Sequence, residues 1–267
     1  MVILNPRAVR QFAQAMGSLE KTDAIDTGII AWYAEVKQSQ ATPLADGSQQ
    51  KLRAFVTRLR QLTETRCIQR NQARLVSDPE VQACFERLLE FIKEQIEQLA
   101  ASIAALIAED PLWRELDQVF RSIKGVADRT VARLMAELPE IGSLSNKTVS
   151  KLAGVAPLAR DSKQFHGKRA VRGGRASVRE ILYMAAGVAG LYEPDFVAFR
   201  KHLKEAGKPG KVVRIALAHK LLVRLNAKAR EVRQKLARAK ELPPTARACP
   251  VGESPCSMAA SDTEFGR

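Results

Sequence analysis

A mainly α-helical fold is what this 267-residue sequence predicts, and three observations carry that reading. Val81, Phe85, Leu88, Ile92, Ile96, Leu99, Ile103 and Leu106 advance in steps of three or four for almost four heptads, the spacing of a coiled-coil seam. Helix-start signals are present, as in Ser77-Asp78-Pro79-Glu80, where serine or aspartate can cap and proline fits the first turn. One short strand-like run, Val2-Ile3-Leu4, precedes the helical patterns.

The elements fall into three segments and a tail. In residues 1–39, the strand-like run and an Asn5-Pro6 break lead to a helix over 7–16. After Gly17 a second helix places Ile25, Ile29, Trp32 and Val36 on one face. Asp23 and Asp26 lie three apart near its start, where Thr22 or Asp23 can cap and Asp26 can complement the helix dipole. In residues 40–110, a helix over 51–75 carries Leu52, Phe55, Leu59 and Leu62 as its apolar face, with Arg53, Arg58, Arg60, Arg66, Arg70 and Arg74 elsewhere. The long stripe that follows packs inside the monomer or joins two copies.

In residues 111–240, a helix over 111–122, the turn Ile123-Lys124-Gly125-Val126-Ala127 and a helix over 128–138 are similar to a helix-hairpin-helix element. In such an element the first N–H groups of the second helix face a phosphate; the alternative is an ordinary turn in a helical bundle. A helix over 146–153 precedes the basic segment treated below, and a core helix over 178–191 is expected to bury Ile181, Leu182, Met184, Ala185 and Val188. Helices over 194–203 and 212–240 are amphipathic and basic. Between them, Lys204, Lys208 and Lys211 surround Gly207 and Gly210 in a loop that contacts backbone phosphate or serves solubility. The tail, 241–267, is rich in Pro, Ser and Ala without periodic apolar residues and reads as disordered.

Charge narrows the function. With 43 Lys and Arg against 29 Asp and Glu, a net charge of +14 is a footprint for DNA or RNA. The longest apolar runs, 99–108 and 181–192, fall short of the roughly 18–20 residues of a membrane span, and the start MVILNPRAVR lacks a signal-peptide core. A cytosolic protein without a membrane partner is expected. Cys67, Cys84, Cys249 and Cys256 have neither zinc-knuckle nor disulfide-framework spacing, and Cys84 reads as a small core residue.

The richest stretch is 160–186. Arg160, Lys163, Lys168, Arg169, Arg172, Arg175 and Arg179 surround Ser162, against the single carboxylate of Asp161. A serine is a weak nucleophile at its own pKa, and a transferring phosphoryl group needs its charge spread over fixed donors, so this grouping suits covalent attack on a phosphodiester. The plainer reading is a surface loop that holds a nucleic-acid backbone without chemistry.

The order of short blocks resembles the transposases of the insertion sequence 110 family (the 116/110/902 type). The blocks are Ala156-Pro157, Arg160-Asp161-Ser162, Gly167-Lys168-Arg169, Gly173-Gly174-Arg175 and Leu182-Tyr183-Met184-Ala185, then Phe196-Val197-Ala198-Phe199, Gly207-Lys208 and His219-Lys220-Leu221-Leu222. Asn5-Pro6-Arg7, Phe12 and 21–26 extend it toward the start, and roughly four fifths of the chain is covered. Lys163 stands where the family usually has glycine, and Ala127 and Asp128 stand where its helix-hairpin-helix usually has glycine.

The resemblance implies a C-terminal all-α transposase domain whose Ser162 forms a phosphoserine link to DNA, reversed by another DNA hydroxyl. Arg160, Lys168, Arg169 and Arg175 would offset the phosphate's charge, with Lys163, Arg172, Gly125, Lys208 and Lys211 as further nucleic-acid contacts. It implies a RuvC-like α/β domain holding Mg2+ through four carboxylates, of which Asp23 and Asp26 would be two. The other two belong to upstream strands that this chain does not contain, so an incomplete metal site is expected. Double-stranded DNA, a structured guide RNA and a second copy of the chain are the implied partners. Two rival readings are a nucleic-acid-binding fragment without activity and a site-specific DNA invertase of the same family.

Overall fold

The computed structural model describes residues 4–18, 20, 23–38, 46–158, 161–162, 165–167 and 169–241. Most of the strand-like run and the tail 242–267 lie outside the described residues. The chain forms two compact units, Met1–Ile96 and Glu97–Arg267.

The first unit begins with α1 (Pro6–Ala15) and α2 (Asp23–Lys37). Asn5 caps α1 by accepting the Arg7 N–H at 2.9 Å, and Pro6 occupies the first turn, where its missing N–H costs nothing. Phe12 meets the rings of Trp32 and Tyr33 edge-on, at 5.1 and 5.3 Å between centroids, which locks α1 onto α2. The expected face of α2 is covered only in part: Ile29 is buried, while Trp32 and Val36 are exposed.

α3 (Gly47–Ala73) buries Leu52, Val56, Leu59 and Leu62, with Phe55 half-buried beside them. α4 (Pro79–Glu109) is capped by Asp78, whose carboxylate accepts the Glu80 and Val81 N–H groups at 3.0 Å each. Its stripe is buried at Ile92, Ile96, Ile103 and Leu106, but Val81 and Leu88 are exposed. Cys84 is exposed rather than part of a core, because it lies in the early turns of α4 that among the described residues bury no side chain.

The second unit holds the main core. Asp110 caps α5 (Pro111–Arg121) through the Trp113 N–H at 2.9 Å, and a turn joins it to α6 (Asp128–Glu137). α7 (Asn146–Leu152), capped by Ser145, leads into four short strands: β1 (Pro157–Leu158), β2 (Asp161–Ser162), β3 (Phe165–His166) and β4 (Ala170–Val171). Then come α8 (Ala176–Tyr192), α9 (Pro194–Glu205) and α10 (Gly210–Glu241).

α8 is the central element: α6, α9 and α10 all pack on it, and α10 also runs against α5, α7 and α9. Phe120, Leu182, Phe196, Leu221 and Leu225 are fully buried, and each such side chain contributes about 2 kcal/mol by leaving water. Met184 and Val188, expected in this core, are exposed. At 100° per residue they share with Leu191 the face of α8 opposite Ala186, which the neighbouring helices leave open.

The C-terminal segment is therefore mainly helical but not all-α, because it contains the strands of a small β-hairpin. Pro157 cannot extend a helix, and the polar stretch after it offers no apolar face to bury, so the backbone pairs across the turn instead.

Candidate functional site

The hairpin carries Ser162. Pro157 pairs with Val171 and Leu158 with Ala170; Asp161 pairs with His166 and Ser162 with Phe165. Two residues separate β1 from β2, whereas three separate β3 from β4, so the returning limb is one residue longer between the pairings. Ser162 thus occupies the last paired position before the tip. Side chains of residues 161–166, and residues 160, 163 and 168 altogether, lie outside the described residues. Among the predicted phosphate contacts of this segment, Arg169, Arg172 and Arg175 have a described environment, as does Arg179 beyond them.

These four arginines divide into two kinds. Arg169 and Arg172 are exposed and make no hydrogen bond or ion pair among the described residues. Arg175 is engaged: its Nη1 and Nη2 donate to the two oxygens of Glu140 at 2.7 and 2.6 Å, and Nη1 also donates to the Glu137 carbonyl at 2.8 Å. Arg179 donates from Nη1 to the carbonyls of Gly173 at 2.7 Å and Gly154 at 3.3 Å.

Burial alone would raise the Glu140 carboxyl. The Arg175 hydrogen bond, a backbone N–H and the guanidinium charge together outweigh it and hold the group below its ordinary 4.5. The same hydrogen bond raises Arg175 further, so the pair stays fully charged at neutral pH.

Glu140 sits in a loop that α10 holds in place. Asn226, fully buried, accepts the Gly142 N–H at 2.8 Å and donates to the Leu144 carbonyl at 3.1 Å and the Asn146 side chain at 2.8 Å. Arg230 donates to Leu144 O at 3.0 Å, and Arg233 to Ile141 O and Pro139 O at 2.8 Å each. These basic residues of α10 therefore serve the protein's own carbonyls, and desolvation pushes the Arg233 guanidinium down.

The other predicted contacts are dispersed. Gly125, in the α5–α6 turn, has φ +97, and a Cβ there would approach the Ala189 nitrogen to 2.7 Å and the Ala185 oxygen to 3.0 Å. Its bare backbone is what lets the turn seat against α8. Ala127 makes no side-chain cap at the start of α6. Lys208 and Lys211 are exposed around the start of α10 and have no partner among the described residues.

In the first unit, Asp26 is half-buried and lines a cavity of about 440 Å³ with Leu4, Val9, Arg10 and Ile29, while the Asp23 side chain lies outside the described residues. No three His, Cys, Asp or Glu side chains converge among the described residues.

Sequence reasoning missed Glu140, Asn226, Arg230 and Arg233 as supports of the site. Their partners lie between 35 and 94 residues away, beyond the reach of local spacing. The Pro139-Glu140-Ile141-Gly142 turn between two helices was the one available signal.

Comparison with known proteins completes the picture. Residues 117–201 match the family model described as transposase, IS116/IS110/IS902 family, and residues 1–77 match a second transposase model, the DEDD type of IS110. The pilin gene-inverting proteins of Moraxella bovis and Moraxella lacunata are each 25% identical to this chain over 225 residues, covering 82% of it and 69% of the relative.

Proposed function

We propose, for a chain that has the IS110/IS902-family transposase domain architecture over much of its length, that it recombines DNA, and that the reaction is site-specific inversion of a DNA segment. Both named relatives invert a gene, which favours inversion over transposition to a new site. The observation that carries the chemistry is the place of Ser162, in the last paired position of a hairpin followed by two exposed arginines that have no partner among the described residues.

In this reading the Ser162 oxygen attacks a backbone phosphorus. The serine gives up its proton, the bond from phosphorus to one DNA oxygen breaks, and that oxygen takes up a proton. The resulting phosphoserine ester keeps the energy of the broken bond, so a hydroxyl on another DNA end can attack and release the serine without nucleotide hydrolysis. Arg169 and Arg172, with Arg160, Lys163 and Lys168, would spread the charge of the five-coordinate phosphate. The turn at Gly125 acting as a helix-hairpin-helix, together with Lys208 and Lys211, would hold duplex backbone away from the reacting bond.

The first unit belongs to this reading as RuvC-like, with Asp23 and Asp26 as its metal-facing carboxylates. A structured RNA guide would bind the remaining basic surface. Self-association of α4 as a coiled coil is supported by Val81, Leu88 and Phe91, which stay exposed in its first half.

A plasmid with an invertible segment tests the proposal. The wild-type chain should invert it and leave a denaturation-resistant protein–DNA adduct, whereas Ser162→Ala should lose both while still binding duplex DNA. Inversion by the alanine variant would remove Ser162 from the chemistry. Insertion at unrelated sites in place of inversion would favour transposition.

A further inference from the structure

The root of the hairpin is a close crossing of two backbones. Gly154 precedes β1 and Gly173-Gly174 follow β4, and a Cβ added at Gly174 would run into the Gly154 backbone and lie 2.8 Å from the Leu152 oxygen. The Arg175 N–H donates to that same Leu152 oxygen at 2.8 Å. Arg179 bridges the limbs by donating to carbonyls of both Gly154 and Gly173. From this root, the Arg175 guanidinium reaches across to Glu140 and the Glu137 carbonyl. Glu140 lies in the loop that Asn226, Arg230 and Arg233 bind to α10.

We infer that Arg175 and Arg179 are positioning residues: through Glu140 and the Gly154–Gly174 crossing they fix the hairpin that carries Ser162 to α10, and they do not bind the phosphate. Two properties separate them from Arg169 and Arg172. The Arg175 guanidinium, paired with both oxygens of Glu140, must give up that bidentate geometry to take a phosphate, whereas Arg169 and Arg172 have no partner among the described residues to give up. Arg179 instead bonds backbone carbonyls on both limbs of the hairpin, and Arg175 bonds the Glu137 carbonyl beside Glu140, so removing either loosens the hairpin's orientation. The inference rests on the reading of Ser162 as nucleophile for its consequence in the reaction, but not for its structural content.

The test compares Arg175→Gln, Arg175→Lys and Glu140→Gln with Arg172→Gln, all in the full chain. Glu140→Gln and Arg175→Gln should speed amide exchange at Leu158, Ala170 and Val171, and the double variant should do little more than either alone. Both should leave affinity for duplex DNA and its salt dependence close to wild type. At saturating DNA they should slow adduct formation by at least about tenfold, since small misplacements of a reacting group are costly. Arg172→Gln should instead weaken binding and reduce the salt slope by about one. Arg175→Lys keeps the charge but loses the bidentate fork, so it should resemble Arg175→Gln.

If Arg175→Gln lowers the salt slope as Arg172→Gln does, or if Glu140→Gln leaves hairpin exchange unchanged, the inference is wrong. Failure of the nucleophile reading shows separately, as an adduct that survives Ser162→Ala whatever the exchange data give.

Discussion

Asn226 shows how much one buried polar side chain can organise. It satisfies the Gly142 N–H, the Leu144 carbonyl and the Asn146 side chain from a fully buried position. Asn226→Leu keeps the volume but strands at least one buried donor, so thermal or denaturant unfolding should register a loss of about 2 kcal/mol or more. Glu140 gives a pH signature. Its folded-state value lies below 4.5, so its contribution is complete above the unfolded value and fades as pH falls through the lowered folded one. Melting curves should separate wild type from Glu140→Gln at neutral pH and bring them together in the acid range. A gap that persisted unchanged into acid would mean that the carboxylate charge contributes nothing.

Elements answer to a different physics, that of faces and turns. Gly125 sits at φ +97 with α8 directly behind it, so Gly125→Ala meets both backbone strain and the Ala189 amide, and should destabilise by more than about 2 kcal/mol in a denaturant titration. α8 separates its faces sharply: Leu182→Ala empties a closed site and should cost about 2–5 kcal/mol, whereas Met184→Gln, on the open face, should stay within about 0.5 kcal/mol. Equal costs at the two positions would contradict this orientation of the helix. The cap of α4 was legible beforehand, since Asp78 lies within three residues of the N–H groups it accepts; the caps of α1 and α5, Asn5 and Asp110, have the same short reach but were not read from the sequence. The hairpin was not. Its four pairings span at most 15 residues, but its strands are two residues long and carry no alternating apolar pattern to announce them.

On the scale of the whole molecule, the +14 net charge is distributed unevenly in purpose. Arg224 pairs with Glu193 and Asp195, Arg133 with Glu137 and Glu180, and Arg230 and Arg233 serve carbonyls. Lys208 and Lys211, by contrast, carry exposed charge without a partner among the described residues. DNA affinity should therefore fall steeply with salt, and Lys208→Ala and Lys211→Ala should each reduce that slope by about one without changing adduct formation at saturating DNA. Arg230→Ala should leave the slope alone and lower the melting temperature instead. If Arg230 proved as important to the slope as Lys208, its assignment to the loop would be wrong.

The sequence by itself determined the helices, the cap of α4, the basic balance and the serine segment's place in the chain, because each depends on spacings of a few residues or on a sum of charges. Only the tertiary structure decided which of the described arginines are committed to partners within the protein, that Met184 and Cys84 face outward, and that Arg175 meets Glu140 in a loop bound to α10. Those facts depend on what a side chain meets after the chain has turned back on itself, and a guanidinium in a sequence carries no mark of whether a carboxylate 35 residues away will reach it first.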